Sequence, residues 1–281
     1  MLRIDLLGAN GVGKSTVMKA LKRRRQTRDR GHWKCPREVK QVMAARQWQR
    51  EGGVGGRARA MVCRLPKLGP ILAEGYLSRL AGQAFVEKGA EVSHFYNTCL
   101  RGAVETEGGA GEHVGLGWLF EALKEVCLLD PWNGTVVFDE SLTHELVGLL
   151  VGLGAVDLVR DWFEAMPKPD AVIYVSGNEE LVWERLKDRK ARRGTGLLRH
   201  RRLSEESKRN FVRRSLRVVE EAASTLMWRG VPIVEVDGGS PPEVNAEVID
   251  RSLVDIVGGC RPLGATPALV RGGAGGYERE Q

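Results

Sequence analysis

Four short apolar runs punctuate the chain: Leu2–Leu7, Thr135–Phe138, and residues 171–175 and 231–236. Each is bounded by turn or polar residues and lacks the alternation of a half-buried strand, which predicts buried parallel strands. Between them, apolar residues recur with helical spacing. This predicts helices over residues 14–25, 117–129, 142–166, 179–193, 204–229 and 242–257. The alternation of strand and helix predicts an α/β fold, a parallel sheet covered by helices on both faces. A further strand is expected near residues 32–35, where the pattern is faint. Residues 50–60 and 107–117 are rich in glycine and read as mobile loops. The stretch between them has no clear period, so residues 50–117 are expected to be irregular. One domain is expected over residues 1–257, followed by a Gly- and Pro-rich tail, 258–281, that reads as disordered.

Composition narrows the class. The 281 residues are 42% hydrophobic and 28% charged, a globular balance. The longest apolar run, residues 146–156, is too short to span a bilayer, and the amino terminus shows no signal-peptide pattern. The five cysteines are scattered and include no C-x-x-C pair, which argues against a disulfide scaffold or zinc site and for a reducing cytoplasm. The net charge of +7 is unevenly placed: residues 19–67 hold sixteen basic and three acidic side chains, and residues 184–217 fourteen and four. Two cationic blocks on an otherwise acidic body imply either a polyanionic partner or solvated arginine-rich helix faces.

The most specific pattern is Gly8-Ala9-Asn10-Gly11-Val12-Gly13-Lys14-Ser15, followed by Thr16. It matches G-x-x-x-x-G-K-[ST], follows a predicted strand and opens a predicted helix, the context that distinguishes a phosphate-binding P-loop (Walker A) from a chance glycine turn. Glycines let backbone N–H groups converge on phosphates, and the helix N-terminus adds favourable dipole charge. Lys14 is expected to reach the β- and γ-phosphates of ATP, and the Ser15 hydroxyl to ligate Mg²⁺. The third strand ends in Asp139-Glu140-Ser141. In a parallel sheet this end opens on the same crevice as the glycine loop. Asp139 is therefore expected to hold Mg²⁺, and Glu140 to orient or deprotonate an acceptor hydroxyl, with the two roles open to exchange. The competing reading makes the two acids a cap on the following helix. Beyond the fourth strand, Arg185 and Arg189 lie one helical step apart, followed by Arg192, Arg193 and a Gly194-Thr195-Gly196 break. Planar arginine forks suit phosphate oxygens, so residues 185–204 read as a basic lid; a salt-bridged surface helix is the alternative.

Taken together, these segments resemble the thymidylate-kinase family of P-loop kinases over most of residues 2–255. The resemblance implies a P-loop kinase fold, ATP–Mg²⁺ as the donor and an arginine-bearing lid, with roles carried onto Lys14, Ser15, Arg185, Arg189 and Arg192 or Arg193. Two departures bear on the acceptor. The family has Asp-Arg-Tyr or a similar run where this chain has Asp139-Glu140-Ser141. It also has a Thr-Arg-Glu-Pro-Gly-Gly loop where this chain has only Cys35-Pro36-Arg37-Glu38. A carboxylate in place of an arginine repels an acceptor phosphate, whereas an alcohol gains from a positioned base.

A hydroxyl on a pyrimidine-type acceptor is thus expected. The leading expectation resembles the phage branch that phosphorylates 5-hydroxymethyluracil within DNA, which would use the cationic blocks and require the base to leave the stack. His94-Phe95-Tyr96 or Trp118 are candidate stacking groups, or else ordinary core aromatics. The second expectation is a kinase of a free deoxypyrimidine nucleoside or nucleotide. The third is a nucleic-acid-binding ATPase in which Asp139-Glu140 act on water.

Overall fold

In the computed structural model the described residues are 1–27, 33–63, 65, 68–106, 112–193, 204–258 and 270–271. Five parallel strands, β1 (Leu2–Leu7), β2 (Trp33–Lys34), β3 (Thr135–Phe138), β4 (Ala171–Ser176) and β5 (Ile233–Asp237), lie in the order β2-β3-β1-β4-β5. A two-residue strand β6 (Val270–Arg271) pairs with the outer edge of β5, inside the segment read from sequence as a disordered tail. Every residue of β3 and all but the first of β1 are buried, so both sheet faces are covered. Trp33–Lys34 is the faint strand expected near residues 32–35.

Eleven α-helices are present among the described residues: α1 (Lys14–Thr27), α2 (Pro36–Glu51), α3 (Gly53–Val62), α4 (Gly69–Glu87), α5 (Gly89–Glu105), α6 (Glu112–Leu129), α7 (Leu142–Leu153), α8 (Val159–Ala165), α9 (Glu179–Arg193), α10 (Glu205–Trp228) and α11 (Pro242–Gly258). Helix α1 packs on α11, while α7 packs on α6 and α10. Three expectations are corrected. Residues 142–166 form two helices, because Gly154 takes a left-handed conformation (φ 76°) that ends α7, and a 3₁₀ turn, Val156–Leu158, precedes α8. Residues 50–60 are the end of α2 and most of α3, not a loop, and α3, α4, α5 and the start of α6 fill most of the region expected to be irregular. The glycines there sit inside helices whose order comes from packing against α2 and α6, which propensity does not report.

The topology creates a crevice. From β1 the chain crosses past β3 to β2, and from β3 it crosses past β1 to β4, so the loops leaving these adjacent strands diverge at their carboxyl ends. Two charged groups fasten this centre. Arg3 and Asp5, side by side on one face of β1 and almost wholly buried, form a forked pair at 2.8 and 3.1 Å, and Arg3 also donates to the Pro167 carbonyl at 3.0 Å. The Asp170 carboxylate accepts the Arg3 backbone N–H at 2.6 Å, and the Asp170 N–H donates to the Arg3 carbonyl at 2.9 Å. Asp170 thus sets where β4 begins alongside β1. At the sheet edge, Pro36 opens α2, the Cys35 N–H donates to Glu38 at 2.8 Å, and Arg25 grips the same carboxylate with two donors. Burial works against ionisation of Glu38, but the Arg25 fork and the Cys35 N–H outweigh it and hold its pKa at about 2.

Asp5→Ala leaves the Arg3 guanidinium buried without its counter-charge, a loss of about 3–5 kcal/mol. Urea unfolding followed by circular dichroism is expected to show that drop in stability, with an unchanged secondary-structure spectrum before the transition.

Candidate functional site

The loop from Gly8 to Gly13 leaves β1 and turns into α1. It runs in a slot too narrow for side chains. A Cβ on Gly8 would lie 2.7 Å from the Val175 carbonyl oxygen, and one on Gly13 (φ 115°) 2.8 Å from an Arg185 nitrogen. The slot's far wall is the turn after β5, where Gly238 lies so close to the Val12 carbonyl that a Cβ would stand 2.5 Å from it. The Gly238 N–H donates to the Ser176 carbonyl at 2.7 Å, and Asp237 caps the turn through the Gly239 N–H at 2.8 Å.

Lys14 is buried at the start of α1 and bends back over the loop, its ammonium donating to the Gly8 carbonyl and, at 3.2 Å, to that of Ala9. Burial lowers its pKa to about 8, and the Glu140 carboxylate partly offsets the shift. Ser15 and Thr16 are exposed in the first turn of α1, where the Thr16 N–H donates to the Gly13 carbonyl at 2.9 Å.

The consecutive acids after β3 go different ways. Asp139 turns to α1, where Lys22 lies 3.3 Å away, and Glu140 lines the cleft beside α7. Neither caps α7. Ser141 does, accepting the His144 N–H at 3.3 Å and sharing a hydrogen bond with Thr143.

The cleft, about 1150 Å³, lies between α4, α6, α7 and α10. Asn10 of the glycine loop, Glu140, His144 and Glu145 form one end; Lys40, flanked by Glu74 at 2.7 Å and Glu125 at 2.6 Å, lies on another wall. Five glutamates and three cations (Lys40, Lys124, Arg214) line it. Burial, reinforced by the Lys14 charge, pushes the His144 pKa down to about 3, so the imidazole is neutral near pH 7. Burial and the Glu140 charge both raise that of Glu145. Lys14, Glu140, His144 and Glu145 are therefore one electrostatic cluster. Sequence reading missed His144 and Glu145, although both fall within one helical turn of Ser141.

Of the arginines expected to form a lid, Arg185 donates to the Val12 carbonyl and, at 2.7 Å, to that of Gly238. The side chains of Arg189, Arg192 and Arg193, and all of residues 194–203, lie outside the described residues. Part of the two cationic blocks is engaged within the chain. Arg24 pairs with Glu247 and Asp250, Arg23 with Glu243, Arg25 with Glu38, and both Arg209 and Arg213 with Glu179. Of the candidate stacking groups, Phe95 is wholly buried and Tyr96 packs on Phe120 with ring centres 5.4 Å apart; Trp118 is exposed and lines the cleft.

The described residues contain no group of three or more His, Cys, Asp or Glu side chains able to hold a metal, so a resident metal centre has no ligand set there. One hydroxyl (Ser15) and one carboxylate (Asp139) do fit Mg²⁺ that arrives on phosphates and keeps most of its other oxygen ligands. No helix among the described residues is long and apolar enough to cross a membrane. Cys35, Cys63, Cys99 and Cys127 are buried free thiols. No protein-family model matches the chain, and no curated protein matches it.

The slot makes a steric prediction. Gly238→Ala drives a methyl group into the Val12 backbone, an overpacking cost of about 1–3 kcal/mol. Gly239→Ala meets only the movable Asp237 carboxylate, at 3.3 Å. Thermal unfolding is expected to place Gly238→Ala well below wild type and Gly239→Ala close to it.

Proposed function

We propose that this protein is an ATP–Mg²⁺-dependent phosphotransferase that phosphorylates a hydroxyl of a pyrimidine-type acceptor. The leading acceptor is the 5-hydroxymethyl group of 5-hydroxymethyluracil in DNA. The observation that carries the reading is the pairing of a glycine loop and its lysine with two acids that part company: Asp139 on the α1 side, Glu140 in the cleft. A donor needs the first arrangement and an alcohol acceptor the second.

In this reading the loop N–H groups and Lys14 hold the β- and γ-phosphates once the ammonium leaves the Gly8 and Ala9 carbonyls. Ser15 and Asp139 hold Mg²⁺, which when bound neutralises charge on the phosphate oxygens. The acceptor hydroxyl lies in the cleft against Glu140. Its oxygen forms a bond to the γ-phosphorus as the bond from that phosphorus to the β,γ-bridging oxygen breaks; ADP departs and the hydroxyl proton passes to Glu140. Arg185 braces the loop from behind through Val12 and Gly238. Glu140 and the neighbouring Glu145 disfavour a second phosphate group placed against them at that end of the cleft, since like charges repel.

One observation favours a free deoxypyrimidine nucleoside instead. Lys22, Arg23, Arg24, Arg25 and Lys40, all in the first cationic block, are ion-paired internally, which removes part of the charge a DNA grip would use. The deciding experiment incubates the protein with Mg²⁺ and γ-labelled ATP against four acceptors: duplex DNA carrying 5-hydroxymethyluracil, unmodified DNA, thymidine and thymidine monophosphate. Label confined to hydroxymethylated DNA supports the leading acceptor, label in thymidine the second reading. Label in the monophosphate overturns the argument from the acidic cleft.

Lys14→Ala is expected to lower turnover by at least about 10²-fold with the fold intact, because it removes transition-state charge stabilisation and no core contact. Glu140→Gln is expected to lower transfer by about 10²–10⁴-fold while ATP affinity changes little. Phosphates favour the charged ammonium, so they raise a Lys14 pKa that stands at about 8 without them. Above that pH, binding of a non-hydrolysable ATP analogue is expected to take up protons, seen as calorimetric heats that depend on the buffer's ionisation enthalpy, and Lys14→Met to abolish that component.

A further inference from the structure

We propose that Arg214 binds a phosphate carried by the acceptor, at the end of the cleft away from Glu140. The inference rests on the reading that seats the acceptor hydroxyl against Glu140, and it names what else that acceptor carries. Three observations support it.

First, the charges lining the cleft do not cancel evenly. Lys40 is paired with Glu74 and Glu125, and Lys124 with Glu121 at 2.6 Å. His144 is neutral near pH 7. Of the lining charges this leaves Glu140 and Glu145 at the glycine-loop end, and Arg214 of α10, which has no acidic partner among the described residues. Secondly, the two remainders are separated along one helix. Glu145 is in the first turn of α7, whereas the Arg214 guanidinium lies at its other end. It donates to the Val151 carbonyl at 3.4 Å, and a Cβ on Gly154 would stand 3.2 Å from its Nη1. The six residues from Glu145 to Val151 rise by about 9 Å, an interval that one nucleotide hydrogen-bonded at both ends can bridge. A cation at a helix C-terminus is favourable in its own right. This contact, however, is at the outer limit of hydrogen-bond length and uses one of five N–H donors, so it does not commit the fork to α7. Thirdly, the floor between the two ends is bare. Gly148 lies between Glu145 and Val151 on α7 and lines the cleft, and a Cβ there would meet nothing within 4 Å. A planar base over Gly148 would set its hydroxyl toward Glu140 and its phosphate toward Arg214. Arginine suits that end because its planar fork takes two phosphate oxygens at once, while the acids at the other end disfavour phosphate.

The test measures transfer from γ-labelled ATP by the full chain to four acceptors. These are 5-hydroxymethyl-2′-deoxyuridine, its 5′-monophosphate, and a trinucleotide with that residue at its centre, made once with phosphodiester and once with uncharged methylphosphonate linkages. Wild type is expected to favour a phosphate-bearing acceptor over the nucleoside by about 10–100-fold in kcat/KM, mostly through KM. Preference for the monophosphate identifies a free nucleotide as the source of that phosphate. Preference for the diester trinucleotide, lost with methylphosphonate, identifies a nucleic-acid strand. Arg214→Met is expected to bring the ratio to about 1, and Arg214→Lys to restore part of it. Circular dichroism and affinity for a fluorescent ATP analogue check the fold and the donor site. The methylphosphonate arm removes the charge from the acceptor instead of the protein, so it reads the contact even where a variant is unstable. Equal kcat/KM for all four acceptors, or a preference that Arg214→Met retains, overturns the inference and leaves the hydroxyl-transfer reading standing. A loss in Arg214→Met that falls alike on all four assigns Arg214 to bracing the end of α7 and also overturns it. Absence of label from every acceptor removes the transfer reading at Glu140, and this inference with it.

Discussion

Close backbone packing around the glycine loop is the constraint on which the rest of this structure depends. The loop from Gly8 to Gly13 passes between the end of β4, the α9 side chains Arg185 and Leu186, and the turn after β5, at distances where a single methyl group has no room. The loop, the end of β4 and the turn after β5 are therefore tied to one another through backbone atoms, and α9 joins them through the Arg185 and Leu186 side chains. The buried Arg3–Asp5 pair and the Asp170 clasp fix β1 and β4 beneath the loop. Arg185 and Gly238 fix it from outside. A loop held from both sides has little freedom to change its backbone path.

The crevice beside it follows from strand order. Because β1 and β3 are neighbours whose following helices lead away in opposite directions, the residues after each strand open a gap instead of packing together. Asp139 and Glu140, in the bend that follows β3, occupy that gap. One carboxylate meets Lys22 on α1 while the other joins His144 and Glu145 in the cleft. Two acids adjacent in sequence thus come to have different neighbours.

The two sequence signals that read most clearly were those with short-range causes. Strands β1 and β3 lie where continuous apolar runs placed them, and α1 and α9 begin where the pattern placed them, because burial on both sheet faces and helical periodicity are written in consecutive residues. The glycine loop was legible for the same reason: its spacing and flanking elements are local. The break at Gly154 was missed because the apolar period runs on through it, and only the left-handed turn there interrupts the helix. Helices α3, α4 and α5 were missed because their glycine-rich or weakly periodic sequences are ordered by packing against α2, α6 and α8.

Charge divides in the same way. The chain by itself determined that basic residues cluster in two blocks, that a lysine ends a glycine loop and that two acids end a strand. Only the tertiary structure decided which charges meet. It paired much of the α1 block with acids of α2 and α11, turned Arg185 onto the Val12 and Gly238 carbonyls, and set a neutral His144 beside Lys14. The physical reason is range: periodicity and loop chemistry act between residues a few positions apart, whereas Coulomb interaction and desolvation depend on distance in space, which the sequence does not encode until the sheet order brings remote segments together.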